Sequence, residues 1–534
     1  MLSGMIVAQT IAAQRKERSM RVSGIRAGVV ASLLVGTWAA FAANTIQCTT
    51  AALQSKAPAD TTISAAAIVP AASNLPEHCL VKGAVATPGN SVDFQLALPK
   101  DWNGKFIFQG VGGFAGSMGR MDTSLERGYA AATTDTGHQG SATDGSWALN
   151  NRPKEIDYGH RGTHVTAVAA KSLTAAYFGK AARYAYFNGC SNGGRQALME
   201  AQRHPEDFNG IIAGDPSFGA MGYVRRALTY QFMLASPDRA LPMAKLEVLS
   251  KAVLAACDKN DGTTDGLIGD PRMCKFDPAP LQCKSGDGED CLTAGQLQMV
   301  KQIYGESKTP QGEHLYGFPV GHEAGATGWP LWITGKVAPT QQADGMLNFA
   351  AADAPTGYRF ADGFMRYMAF EKDDPGYDWL RFDVSRDLPQ IRTIAEILSP
   401  TSADLKKLQQ HGSKLLLYHG WSDPAISAYG TIDYYDKVVK TAGGKQQADD
   451  FVRLFLVPGM HHCTSGPGPN SFDTLTAMEQ WVEQGAPPQR IVTSHSTNGK
   501  VDRTRPLCPE PQVARYTGTG NIDAAENFKC EAPR

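Results

Sequence analysis

The chain lacks a surplus of either charge: 51 Lys and Arg stand against 52 Asp and Glu, for a formal net charge of −1. Without a basic or acidic excess there is no electrostatic case for nucleic acid or an anionic membrane surface as partner. It also lacks a membrane-length apolar run. The main candidate, Ala27 to Ala43, falls short of the ~20 residues that span a bilayer, which argues against a stable membrane anchor. No repeat at the spacing of solenoids or propellers is apparent, and the one compositionally biased tract is the Thr/Ala/Pro-rich stretch Thr49 to Pro76. Cys257, Cys274, Cys283 and Cys291 lack paired Cys-x-x-Cys knuckles, so the signature of a thiolate zinc site is missing.

What is present is an ordinary globular composition, 42% hydrophobic and 19% charged. At 534 residues the chain exceeds the usual single domain, so a large core with one substantial insertion, or two domains, is expected. Arg15, Lys16, Arg18, Arg21 and Arg26 precede the apolar run, which ends in Ala40-Phe41-Ala42. That pattern predicts a signal peptide over residues 1–42, with Met5 and Met20 as alternative starts, and a secreted or periplasmic protein. All ten cysteines follow the cleavage point. An even number in an exported chain suggests five disulfides.

Beyond residue 76 short apolar runs alternate with amphipathic stretches, an α/β pattern. Phe106-Ile107-Phe108, Ala130-Ala131-Ala132, Tyr184 to Asn188 and Gly210 to Ala213 read as strands, with helices over His164 to Phe178 and Gly194 to Arg203. From about Phe218 to Pro400 the composition turns to Gly, Asp, Pro and aromatics. Alternation then resumes with strands Lys414 to Tyr418 and Val452 to Leu456 and a helix over Phe472 to Gln484. The expected organisation is a core over 43–217 and 401–534, interrupted by a lid over 218–400.

Gly189-Cys190-Ser191-Asn192-Gly193-Gly194 lies between a predicted strand and helix, the context of a nucleophile elbow. Small residues permit the sharp turn, and the backbone N–H of Asn192 is placed to donate to an oxyanion. Asp423, in Tyr418-His419-Gly420-Trp421-Ser422-Asp423-Pro424, emerges at the carboxyl end of a strand, where catalytic groups of open α/β sheets collect. His462 follows another strand in Gly459-Met460-His461-His462-Cys463. The order Ser, Asp, His is that of α/β hydrolases, so the predicted fold is an α/β-hydrolase core with a large inserted lid domain. In this reading His462 takes the proton of Ser191, and Asp423 orients its imidazole. His461 is the competing base, and His419 is assigned to the pocket. A disulfide between Cys190 and Cys463 would join the serine and histidine loops, since bridged α-carbons lie within ~7 Å. For the second oxyanion donor, Gly113 in Gln109 to Gly116 is preferred over Gly112, a choice between neighbouring amides that the sequence does not separate.

Inside the insertion, Cys257-Asp258-Lys259-Asn260-Asp261-Gly262-Thr263-Thr264-Asp265-Gly266-Leu267 gathers three carboxylates with glycines that let a loop curl. Hard oxygen ligands suit Ca2+. The candidate ligands are the side chains of Asp258, Asp261 and Asp265 and the carbonyls of Thr263 and Leu267, in a structural role. It is not an EF-hand, because Gly269 stands at the twelfth position counted from Asp258.

With Cys190-Ser191, Asp423, His462-Cys463, Thr134-Asp135-Thr136-Gly137-His138 and the Asp258 to Leu267 loop in view, the chain resembles the tannase and feruloyl esterase family, including its mono(2-hydroxyethyl) terephthalate hydrolase branch. The resemblance covers nearly all of the mature chain. It implies a lid over an α/β-hydrolase core, structural calcium in that lid, and hydrolysis of esters whose acid part is aromatic. It also implies the pairings Cys190–Cys463, Cys257–Cys274, Cys283–Cys291, Cys508–Cys530 and Cys48–Cys79; local spacing independently favours the second and third. Within the lid, Phe364, Arg366, Tyr367 and Phe370 could stack a ring and bind a carboxylate. Arg366, Phe370 and His419 are therefore the candidate substrate contacts.

The expected activity is that of an exported serine carboxylesterase acting on a small aromatic ester through an acyl-enzyme, with feruloyl or galloyl esters first. A terephthalate-monoester hydrolase is the alternative enzyme. A non-catalytic, calcium-stabilised aromatic-ligand binding protein is the alternative of another class. Against it stands the complete Ser191, His462 and Asp423 set, which a binding protein would not need. The sequence leaves the oligomeric state open.

Overall fold

Fully apolar strand segments, buried on both faces, build the centre of the molecule. The computed structural model describes residues 46–342 and 346–533; the expected signal peptide lies outside the described residues. Nine strands form the main sheet: β1 (Thr61–Val69), β2 (His78–Thr87), β3 (Asn90–Pro99), β4 (Lys105–Gln109), β5 (Ala130–Thr134), β6 (Tyr184–Cys190), β7 (Gly210–Gly214), β8 (Lys414–Gly420) and β9 (Val452–Val457). Their order is β1-β2-β3-β5-β4-β6-β7-β8-β9. From β5 to β9 all neighbours are parallel, whereas β1 to β3 are antiparallel and β3 joins β5 antiparallel. Every residue of β5, β7 and β9 is buried, as parallel strands covered on both faces require.

The strand period of two divides the core. Phe106 and Phe108 of β4 pack with Phe187, Ile211, Ala213, Leu415 and Leu417 on one face, together with helices α1 (Gly162–Phe178) and α2 (Asn192–Arg203). The alternate residues Ile107, Tyr186, Ile212 and Leu416 face the other way, against the C-terminal helix Thr474–Gln484. Between β7 and β8 the chain builds a separate helical cluster around α3 (Ala220–Leu234), α4 (Met243–Cys257), α5 (Ala294–Tyr304) and α6 (Thr356–Tyr367). Val111, Phe114 and Tyr158 join that cluster from the sheet side. The described residues fall in one compact unit, so insertion and sheet share continuous packing.

All the strands and helices expected from residue 106 onward are present, with ends displaced by a few residues. The three antiparallel strands β1 to β3 were not expected. In β1, Thr-Thr-Ile-Ser-Ala-Ala-Ala-Ile-Val, only Thr61 and Ile63 are buried. An edge strand of small residues carries little alternation to read. Two C-terminal ribbons, Ile491–Thr497 with Lys500–Leu507 and Val513–Tyr516 with Phe528–Glu531, were likewise unexpected. The five disulfides are Cys48–Cys79, Cys190–Cys463, Cys257–Cys274, Cys283–Cys291 and Cys508–Cys530, as the resemblance implied.

Candidate active site

The sheet order reverses at β4, which lies between β5 and β6, and loops leaving the carboxyl ends of strands at such a point form a natural crevice. Ser191 follows β6 directly and precedes α2, with φ 64° and ψ −121°. A non-glycine residue at positive φ is strained. The turn survives because its neighbours have no side chains: a Cβ on Gly189 would lie 2.5 Å from the Gly193 carbonyl oxygen. A Cβ on Gly110, after β4, would lie 2.9 Å from the Gly193 α-carbon, so at these glycines the two loops approach backbone to backbone.

Asp423 follows β8 and His462 follows β9. His462 Nε2 lies 2.8 Å from Ser191 Oγ, and its Nδ1 lies 2.8 Å from Asp423 Oδ2. Asp423 Oδ1 accepts from the amides of Ala425 and Ile426 at 2.7 and 3.0 Å. Cys190 and Cys463 are bridged with α-carbons 6.0 Å apart, beside the serine and the histidine respectively. His461 takes no part: it is buried, with Nδ1 2.7 Å from Thr327 Oγ1.

Asp215 was not anticipated. It follows β7 directly, is fully buried, and stands at φ 36°. Its Oδ1 accepts from Gly420 N at 2.7 Å and its Oδ2 from Cys463 N at 2.5 Å, so it ties the Asp423 loop to the His462 loop. Burial pushes the Asp215 carboxyl up to about 6, despite the nearby His419 charge. Burial acts on Asp423 in the same direction, but the His462 charge and hydrogen bonds from His419 and His462 outweigh it and hold that carboxyl well below the usual range. The signal was available: Gly214-Asp215-Pro216 follows a strand whose carboxyl end faces the site.

The three expected substrate contacts are not brought together. His419 is fully buried rather than pocket-lining. Its Nδ1 meets Thr431 Oγ1 at 2.7 Å, while its Nε2 lies 2.9 Å from Ile426 O and 3.3 Å from Asp423 Oδ2. Arg366 pairs with Asp362 on its own helix at 2.7 Å and donates to Pro375 O, so its charge is already spent. Phe370 packs edge-on against Tyr377, in a different cavity that includes Asp387. The aromatic side chain against the triad is instead Trp332, whose ring centroid lies 4.9 Å from that of His462. Within the loop after β4, the amides of Val111 and Phe114 are committed to Gln196 Oε1 and Ala142 O. Gly112 and Gly113 are the uncommitted amides of that turn among the described residues.

In the acidic loop, Asp258 accepts from the amides of Asp265 and Gly266, and Asp261 from the amide and hydroxyl of Thr263. Asp265 pairs with Arg505 and accepts from Leu267 N at 3.1 Å. Burial, and then the charges of Asp265 and Asp258, push Asp261 up to about 6 against its bonds to Thr263. Crowded carboxylates of this kind are the donor chemistry of a calcium loop.

Comparison with known proteins agrees with the geometry. Residues 79–531 match the family model described as tannase and feruloyl esterase. An esterase of Xanthomonas campestris is 34% identical, covering 96% of each chain. The mono(2-hydroxyethyl) terephthalate hydrolase of Piscinibacter sakaiensis is 34% identical over 88% of this chain and 87% of its own. The crystal structure of feruloyl esterase B from Aspergillus oryzae superposes with a TM-score of 0.79 at 24% identity, covering 90% of this chain and all of that one. That likeness shows the α/β-hydrolase type of the fold.

Proposed function

The chain belongs to the tannase and feruloyl esterase family and is a carboxylic ester hydrolase, and from that premise we propose that it cleaves small esters of aromatic acids with Ser191 as nucleophile. The observation that carries this reading is the continuous Ser191–His462–Asp423 hydrogen-bond chain. Ser191 Oγ attacks the ester carbonyl carbon while His462 Nε2 takes its proton. The oxyanion that forms meets the Asn192 amide and an amide of the Gly112–Gly113 turn, with Gly113 preferred. Collapse expels the alcohol, which leaves with the proton from His462. Water then repeats the sequence on the acyl-enzyme, releasing the acid and restoring Ser191. Asp423, held ionised, stabilises the imidazolium in both halves.

Export to an oxidising compartment, outside the cell or in the periplasm, accounts for the five disulfides. None of the described helices is long and apolar enough to cross a membrane. Calcium in the 258–267 loop would neutralise the carboxylates of Asp258 and Asp261, with the Thr263 and Leu267 carbonyls and Asp265, which already pairs with Arg505, completing the set. Its part would be to hold the loop, since none of these residues touches the triad.

The test is a substrate panel. The purified enzyme should hydrolyse at least one of methyl ferulate, methyl gallate and a terephthalate monoester. If it bound one tightly and cleaved none, the binding-protein reading would replace this one. A terephthalate-monoester activity is the second reading, favoured by Arg226, whose guanidinium donates to the carbonyl of Ala425 two residues beyond Asp423.

A further inference from the structure

Oxyanion donors are effective when they already stand where the charge develops. Here the two donor segments belong to different elements: the Asn192 amide opens α2, whereas the Gly112–Gly113 turn follows β4. Side chains of α2 tie them together. Val111, immediately before the turn, has both of its backbone polar groups held from that helix. Its N–H donates to Gln196 Oε1 at 2.9 Å, and its carbonyl accepts from Asn192 Nδ2 at 2.8 Å. All three residues are buried, so neither bond is exposed to competing water.

A trans peptide is planar, with its C=O and N–H pointing opposite ways. The bond from Asn192 to the Val111 carbonyl therefore fixes the direction of the Gly112 N–H. The next carbonyl, that of Gly112, accepts from Ala115 N at 3.0 Å, which fixes the Gly113 N–H in turn. Glycine leaves the backbone free to turn, so the aim of these amides depends on such bonds. Asn192 supplies the first of them.

A side-chain amide can present either end, and Arg195 decides which. Arginine only donates; its Nε lies 2.7 Å from Asn192 Oδ1, which leaves Nδ2 for Val111. The same guanidinium donates to the carbonyls of Gly159 and Tyr158 at 2.6 and 2.7 Å and lies 4.6 Å from the Tyr158 ring centroid. Tyr158 Oη in turn donates to Gly113 O at 3.2 Å, so the network closes on the far side of the turn.

We propose that the Asn192 side chain is a positioning residue of the oxyanion site: through Val111 it holds the Gly112–Gly113 amides in place relative to its own backbone amide. One residue supplies one donor and aims the other. This deepens the esterase reading and rests on it.

Substituting Asn192 leaves its backbone N–H in place, so variants report on the side chain alone. Deleting one oxyanion donor costs roughly 10²- to 10³-fold in kcat, and displacing one costs less. On whichever ester of the panel turns over fastest, Asn192→Ala should lower kcat at least about tenfold and leave KM within about threefold. Asn192→Asp keeps an oxygen for Arg195 but turns an acceptor toward the Val111 carbonyl; it should lose at least as much kcat with the fold preserved. Phenylboronic acid separates positioning from a general loss of structure, because it becomes tetrahedral when Ser191 Oγ adds to boron and mimics the oxyanion. Its inhibition constant should rise in both variants in step with the fall in kcat. Wild-type kcat in either folded variant, a loss confined to KM, or a fall in kcat with unchanged phenylboronic acid inhibition would each overturn the assignment. A wild type that cleaves none of the esters would instead remove the esterase reading, and this inference with it.

Discussion

Ser191 is held at a backbone angle that its own side chain disfavours, and the surrounding contacts are what keep it there. Gly189, Gly193 and Gly110 meet through bare backbone, so Gly110→Ala should push the loop after β4 away from the elbow and lower kcat more than it raises KM. Asp215 holds the other side of the site. Its carboxyl is raised to about 6 by burial, so between the ordinary aspartate value and about 6 the native state keeps a proton that the unfolded chain has released. By linkage, its contribution to stability falls as pH rises through that window and levels off above it. Asp215→Asn removes this dependence. The melting temperature of the wild type, relative to the variant, should therefore decline from pH 4 to pH 6 and then stay level. A difference that grew with pH in that range would show that Asp215 is ionised more readily in the native state than in the unfolded chain.

The loops after β6, β8 and β9 form the working element of the site, and the Cys190–Cys463 bridge closes 273 residues between two of them. The chain-entropy model assigns such a closure about 5 kcal/mol. Cys190→Ser together with Cys463→Ser should lower both the melting temperature and kcat/KM, because the bridge neighbours Ser191 and His462. Unchanged kcat/KM in a folded double variant would reduce the bridge to a purely global staple. These loops were readable from sequence because each follows a largely apolar, buried strand and carries a residue type tied to one chemical role. The insertion between β7 and β8 was not readable to the same degree. Arg366 and Phe370 have suitable chemistry, but Asp362 lies one helical turn from Arg366 and neutralises it. Trp332 and Arg226 owe their position to tertiary packing that no local pattern records. His419 looked like a pocket residue because it ends a strand near Asp423, yet it faces the protein interior between Asp215 and Asp423.

At the scale of the whole molecule, the insertion between β7 and β8 is both roof and wall. It contributes Trp332 over His462 and carries the acidic loop at the C-terminal end of α4. Chelation should therefore lower the melting temperature before it alters kcat measured on the intact fold; identical melting curves with and without chelator would remove calcium from the loop. The α/β-hydrolase core was legible because parallel strands buried on both faces leave continuous apolar runs. The edge strand β1 was not, since its exposed Ala, Ser and Thr resemble loop composition; β3 does carry a period-two signal in Val92, Phe94, Leu96 and Leu98, all buried. The most direct test of the catalytic centre is the hydrolysis rate of Ser191→Ala on whichever aromatic ester the wild type cleaves fastest. Loss of the nucleophile should reduce kcat by at least about 10³-fold with the melting temperature preserved; hydrolysis at the wild-type rate would contradict Ser191 as the residue that attacks the ester.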